Sequence, residues 1–111
     1  MIRVLILAAT CCATTTPAQA DDLTAVTFVC ERGVEVPVVF VNSKGGESHA
    51  IAWIDGRLLG MRQVISASGA RFRSGNGADA YQLWNKGGSA VVSVGPEGAD
   101  RILFRDCSAR H

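Results

Sequence analysis

Apolar side chains recur at every second position along much of this chain, in short runs separated by clusters of glycine, asparagine, aspartate and serine. The clearest run is Val34–Val41, where Val34, Val36, Val38 and Phe40 share one face at period two. Before it, Thr24–Cys30 places Val26, Phe28 and Cys30 on a common face. Ser48–Ile54, Arg57–Ala67 (one strand or two short ones), Ala70–Arg73, Tyr81–Asn85, Ser89–Val94 and Arg101–Asp106 complete the set. No long segment carries the period of an amphipathic helix. Short strands at this spacing predict an all-β domain. Seven or eight of them, joined by short connections, predict a small antiparallel up-and-down β-barrel, with a sandwich as the alternative. Asp55-Gly56 is a two-residue hairpin signal. Pro37 has no N–H to donate, so it must sit at an edge, a bulge or a splayed position.

The first twenty residues depart from that pattern. Arg3 supplies a positive start, Val4–Ala9 a short apolar core, and Ala18-Gln19-Ala20 a small-x-small cleavage site. The apolar run is too short for a stable transmembrane helix, which needs about 20 residues. Residues 1–20 therefore read as a cleavable signal peptide and 21–111 as one domain delivered to the periplasm. A lipoprotein signal fits less well, because threonine or cysteine precedes Cys11 and Cys12 where glycine or alanine is expected. Asp21-Asp22 reads as a solvated start of the mature chain.

Export changes the cysteine count. Of 4 cysteines, only Cys30 and Cys107 survive cleavage, in an oxidising compartment where disulfides persist. They fall on or beside the first and last predicted strands, which are neighbours if the sheet closes, so one disulfide should close the barrel. A reactive thiol or metal pair is the rival, but no CxxC and no His/Cys cluster supports it. The 2 histidines, His49 and His111, lie far apart, and no Gly-x-Ser-x-Gly elbow is present. No metal, no cofactor and no enzymatic activity are expected. Lys and Arg number 11 against 10 Asp and Glu, and loss of Arg3 with the leader brings them level. That balance argues against nucleic acid or an anionic membrane as the main partner.

Two turn-borne segments carry the remaining signal: Ser66-Ala67-Ser68-Gly69-Ala70-Arg71-Phe72 and Leu83-Trp84-Asn85-Lys86-Gly87. Each sets a polar side chain, Ser68 or Lys86, beside a glycine where a strand should reverse. With the terminal cysteines, they resemble the periplasmic and membrane-bound inhibitors of c-type lysozyme, whose pattern reads roughly S-G-A-R/K-Y followed by Y/F-W-x-K-G. The resemblance extends from Val26 to Cys107. It implies a secreted β-barrel with c-type lysozyme as protein partner. Ser68, Gly69, Ala70, Arg71, Lys86 and Gly87 would be the inhibitory contacts, with Phe72, Tyr81 and Trp84 as structural support. Ser66 is the fallback for Ser68 if the register is off by two. Phe72 stands where tyrosine is usual, Leu83 replaces an aromatic, and the 74–79 segment is longer than typical.

Connectivity sharpens this expectation. Successive turns of a meander fall at alternate ends, so the Ser68-Gly69 and Lys86-Gly87 turns share one end and the 74–78 loop lies at the other. Two strand spacings, on the order of 10 Å, should separate them. A c-type lysozyme holds one protonated and one ionised carboxyl about its scissile bond. A hydroxyl and an ammonium at that spacing would complement the pair. An envelope assembly protein and a small-ligand-binding barrel are the alternative readings; the second requires a hollow interior, whereas many small inward-facing side chains predict a filled one.

Overall fold

The computed structural model describes residues 22–110; the expected signal peptide (residues 1–20, with Cys11 and Cys12), Asp21 and His111 lie outside them. Eight strands run in chain order: β1 Asp22–Val29, β2 Glu35–Asn42, β3 His49–Ile54, β4 Arg57–Val64, β5 Ala70–Arg73, β6 Tyr81–Lys86, β7 Ser89–Val94 and β8 Arg101–Arg110. Each pairs antiparallel with its successor, and β8 returns to β1, giving a closed up-and-down barrel. The ends of several elements depart from the periodicity. Asp22 is not a loose start but pairs with Asn42 in the β1–β2 ladder. β4 stops at Val64, which leaves Ile65–Gly69 as a true loop. β8 continues to Arg110, and its last residues close the barrel by pairing Ser108, Ala109 and Arg110 with Val29, Phe28 and Thr27.

The alternation seen in the sequence becomes the inside and outside of the wall. Phe28, Val36, Val38, Phe40, Ala50, Ala52, Ile54, Met61, Phe72, Leu83 and Val92 are buried in one core. Three phenylalanines occupy its centre: Phe28 meets Phe40 edge-on with ring centroids 6.3 Å apart, and Phe40 meets Phe72 at 5.5 Å. Ala50 and Ala52 lie opposite Phe40 and Val38 in register, so small residues on β3 face larger ones on β2. The interior is thus a packed core in which the small Ala and Val side chains expected stand beside aromatic and larger aliphatic ones.

Local chemistry accounts for the reversals. Asp55 and Gly56 both adopt positive φ, 55° and 75°, as a two-residue hairpin matched to strand twist requires. The β1–β2 link, Glu31–Gly33, is a single 3-10 turn with Arg32 at φ 64°, an element the alternation does not signal. Pro37 pairs with Thr27 on one side, and on the other the β2–β3 ladder starts only at Val38, so its missing N–H leaves no bond unmade. Cys30, one residue beyond β1, is disulfide-bonded to Cys107 in β8, 77 positions away.

One stretch breaks the inside–outside rule. Tyr81, Gln82 and Leu83 are consecutive and all buried. Gln82 faces outward yet is covered, as are Arg73 and Ser93. The cover is the β7–β8 connection: Ser93 Oγ hydrogen bonds to Asp100, and the Arg73 guanidinium donates to the Gly95 carbonyl. Arg73 further donates to the Gly75 carbonyl at 3.1 Å and to Gln82 Oε1 at 2.9 Å, which satisfies a buried cation with neutral acceptors.

Candidate functional site

Three connections share one end of the barrel: residues 43–48, 65–69 and 87–88. The 74–80 connection and the Asp55-Gly56 hairpin lie at the opposite end. The Ser68 and Lys86 turns are therefore together, as the meander predicts. They are closer than two strand spacings, because Ala70 pairs directly with Asn85 and only one spacing intervenes.

The contact between the turns explains Gly69. Its φ is +64°, and a Cβ built there would lie 2.5 Å from the Asn85 carbonyl oxygen and 2.7 Å from Lys86 Cγ. Both the left-handed backbone and the absence of a side chain are needed. Gly87 is different. At φ +58° it needs the left-handed region, but nothing lies within 4 Å of its Cβ position. Asn85, with its amide turned to satisfy its neighbours, donates to the Gly87 and Ser89 carbonyls at 3.0 and 3.1 Å and braces that hairpin.

Trp84 joins the two turns. Its indole Nε1 donates to the Ser68 carbonyl at 2.9 Å. The same ring lies beneath the Lys86 ammonium, with Nζ 4.2 Å from the ring centroid, a cation–π contact. Trp84 and Lys86 are two residues apart on one strand and so project from the same face. That part of the arrangement was readable from the sequence; the bond from the indole to Ser68, across the sheet, was not. The Ser66 hydroxyl donates to the Ser68 carbonyl and is thus used inside the loop. Ser68 is exposed, and among the described residues no hydrogen bond engages its hydroxyl and no ion pair engages Lys86.

The other expected site residues divide. Ala70 opens β5, half-buried against Asn85. Phe72 is a core residue packed on Phe40. Tyr81 is buried too, but at the opposite end, where its hydroxyl donates to Asp55 at 3.2 Å. It steadies the Asp55-Gly56 hairpin, not the Lys86 turn. The Arg71 guanidinium is occupied within the protein, by the Ile65 carbonyl, by Gln82 Oε1 at 3.2 Å and by Glu97 at 3.1 Å. Neither Gln82 nor Glu97 carried any sequence signal: the first contact crosses the β5–β6 ladder on the diagonal, and the second depends on the fold of the β7–β8 connection.

Beside Lys86, a groove of about 380 Å³ runs down the outer wall, lined by Trp84, Lys86, Val91, Asp106 and the disulfide cysteine Cys107. The larger cavity, about 720 Å³, is elsewhere, between the β3–β4 wall and Ser74–Asn76. Among the described residues no group of three metal-ligating side chains converges, and no helix is long and apolar enough to cross a membrane.

The arrangement is a disulfide-linked barrel with two braced turns at one end. Residues 28–100 match the family described as membrane-bound lysozyme-inhibitor of c-type lysozyme, and the chain belongs to that family. A crystal structure of the periplasmic lysozyme inhibitor of C-type lysozyme from Salmonella typhimurium superposes with a TM-score of 0.68 at 24% identity, covering 81% of this chain and 100% of that one. At that identity the likeness is one of fold. No match is found among curated proteins.

Proposed function

We propose that this protein inhibits c-type lysozyme by lodging Ser68 and Lys86 in the enzyme's catalytic cleft. The observation that carries the reading is Trp84, bonded through Nε1 to the Ser68 turn and stacked under the Lys86 ammonium. One rigid side chain thus sets a hydroxyl-bearing turn and a cation side by side. The cleft they would enter carries an ionised carboxylate and a protonated acid. An ammonium meeting the carboxylate makes a charge-assisted contact, stronger than a neutral one. The Ser68 hydroxyl can donate to one carboxyl or accept from the other. Turns already held by a closed barrel lose little conformational freedom on binding, which favours affinity. The protein itself catalyses nothing, and it would act in the periplasm after removal of residues 1–20, shielding peptidoglycan.

The test is a cell-wall lysis assay with purified residues 21–111 and a c-type lysozyme. Inhibition is expected, and short chitooligosaccharides that fill the cleft should compete with the protein for the enzyme. Binding unchanged at saturating sugar would place the interface elsewhere.

A further inference from the structure

The β7–β8 connection, residues 95–100, leaves the barrel at the end opposite Ser68 and Lys86 but folds back along the outer wall. There the Glu97 carboxylate meets Arg71 Nη2 at 3.1 Å. The same Nη2 donates to the carbonyl of Ile65, the first residue of the Ser68 loop, while Nη1 donates to Gln82 Oε1 at 3.2 Å. Gln82 Oε1 also accepts from the buried Arg73, which in turn holds the Gly95 carbonyl. A continuous chain of bonds therefore runs from the connection at the far end, through two arginines, to the loop that bears Ser68.

We infer that Arg71 and Glu97 are positioning residues that keep the Ser68 loop in its binding conformation, acting through the Ile65 carbonyl and not through contact with the enzyme; this rests on the reading that Ser68 enters the cleft. The loop needs such a hold. Ile65 is 93% exposed, and Ala67, Ser68 and Gly69 are exposed as well, so apolar packing does little to order them. Trp84 tethers the loop only at Ser68. Without a second tether near its start, each freed residue must be ordered again on binding, at a cost in backbone entropy. An arginine suits the task because its planar fork reaches several acceptors at once, which a lysine ammonium does not reproduce. Glu97 holds the same Nη2 that reaches the Ile65 carbonyl.

A tether of this kind has a kinetic signature. If only a fraction of free molecules holds the competent loop, the apparent affinity falls by that fraction. The loss appears in association, because the bound loop is held by the enzyme, whereas loss of a direct contact appears mainly in dissociation. The experiment measures both rate constants against c-type lysozyme for the wild type, Glu97→Ala, Glu97→Gln, Arg71→Lys and Lys86→Ala. Backbone order parameters of residues 65–69 in the free inhibitor are measured alongside. Glu97→Ala should slow association about threefold to fivefold, the scale of one exposed ion pair, and leave dissociation nearly unchanged. Arg71→Lys should slow it further, Glu97→Gln should follow Glu97→Ala in direction, and loop order should fall in all three. Lys86→Ala should instead raise the dissociation rate. Wild-type loop order in the Glu97 variants, or an Arg71 effect confined to dissociation, would overturn the inference and leave the inhibitory reading standing. Wild-type rates for Lys86→Ala would overturn that reading and the inference with it.

Discussion

At the scale of single residues, Gly69 and Trp84 bear the tightest constraints. A Cβ at Gly69 would meet the Asn85 carbonyl, a backbone atom that cannot swing aside, in a left-handed conformation that L-residues disfavour. Gly69→Ala should therefore part the two turns. We expect it to abolish most inhibition while lowering stability by only about 1–2 kcal/mol, because the clash sits at an exposed turn. Inhibition titrations paired with thermal unfolding check both halves. Side-chain truncation probes the contacts themselves. If Lys86 meets a desolvated carboxylate as proposed, Lys86→Ala removes a charge-assisted contact and should cost ~2–5 kcal/mol of binding. Ser68→Ala should cost ~1–2 kcal/mol. Because Trp84 links the two turns, the double mutant should deviate from additivity, which a double-mutant cycle measures.

On the proposed reading, the elements divide the barrel into a working end and a supporting end. The Ser68 and Lys86 turns sit at one, and the Asp55-Gly56 hairpin and the 74–80 connection at the other. Tyr81 and Asp55 are bonded at the supporting end. Tyr81→Phe deletes that bond but keeps the ring in the core. It should reduce stability by about 1 kcal/mol and leave lysozyme affinity unchanged. Asn76→Ala, in the exposed 74–80 connection, should leave both unchanged. A loss of inhibition in Asn76→Ala with wild-type inhibition in Lys86→Ala would mean that the barrel presents its other end. Glu97 lies on a connection that starts at the supporting end, and it differs from Asn76 because it folds back to Arg71. Position along the chain therefore assigns a connection to an end, but not every contact that its residues make.

For the whole molecule, the disulfide is the largest single constraint on the unfolded chain. It joins positions 77 apart, and the chain-entropy relation assigns such a loop about 4.5 kcal/mol. A domain this small has a modest core, so that contribution is a large share of a typical stability of ~5–15 kcal/mol. Replacing Cys30 and Cys107 by serine should lower the unfolding midpoint sharply in denaturant titrations. Inhibition should persist wherever the variant remains folded, because the braces of the two turns do not involve the disulfide. If residues 1–20 are removed on export, intact mass should show a protein beginning at Asp21 with no free thiol. Two titratable thiols in the exported protein would contradict the closed form.

The sequence by itself determined which segments form strands, though not all of their ends, because period-two alternation and turn chemistry are local. Val34 to Phe40, Asp55-Gly56 and the span of Ala70–Arg73 needed no tertiary information. It also brought Ser68 and Lys86 to one end, since a meander alternates its turns whatever its exact register. Tertiary structure decided what depends on distant pairing. β8 runs past Asp106 because Ser108–Arg110 find partners on β1. Gln82, Arg73 and Ser93 are buried on an outward face because a connection folds over them, which no local pattern announces. The same cover joins Arg71 to Glu97, 26 positions away. Alternation reports which face a residue takes; whether that face is later covered, and by what, is settled only when the chain closes on itself.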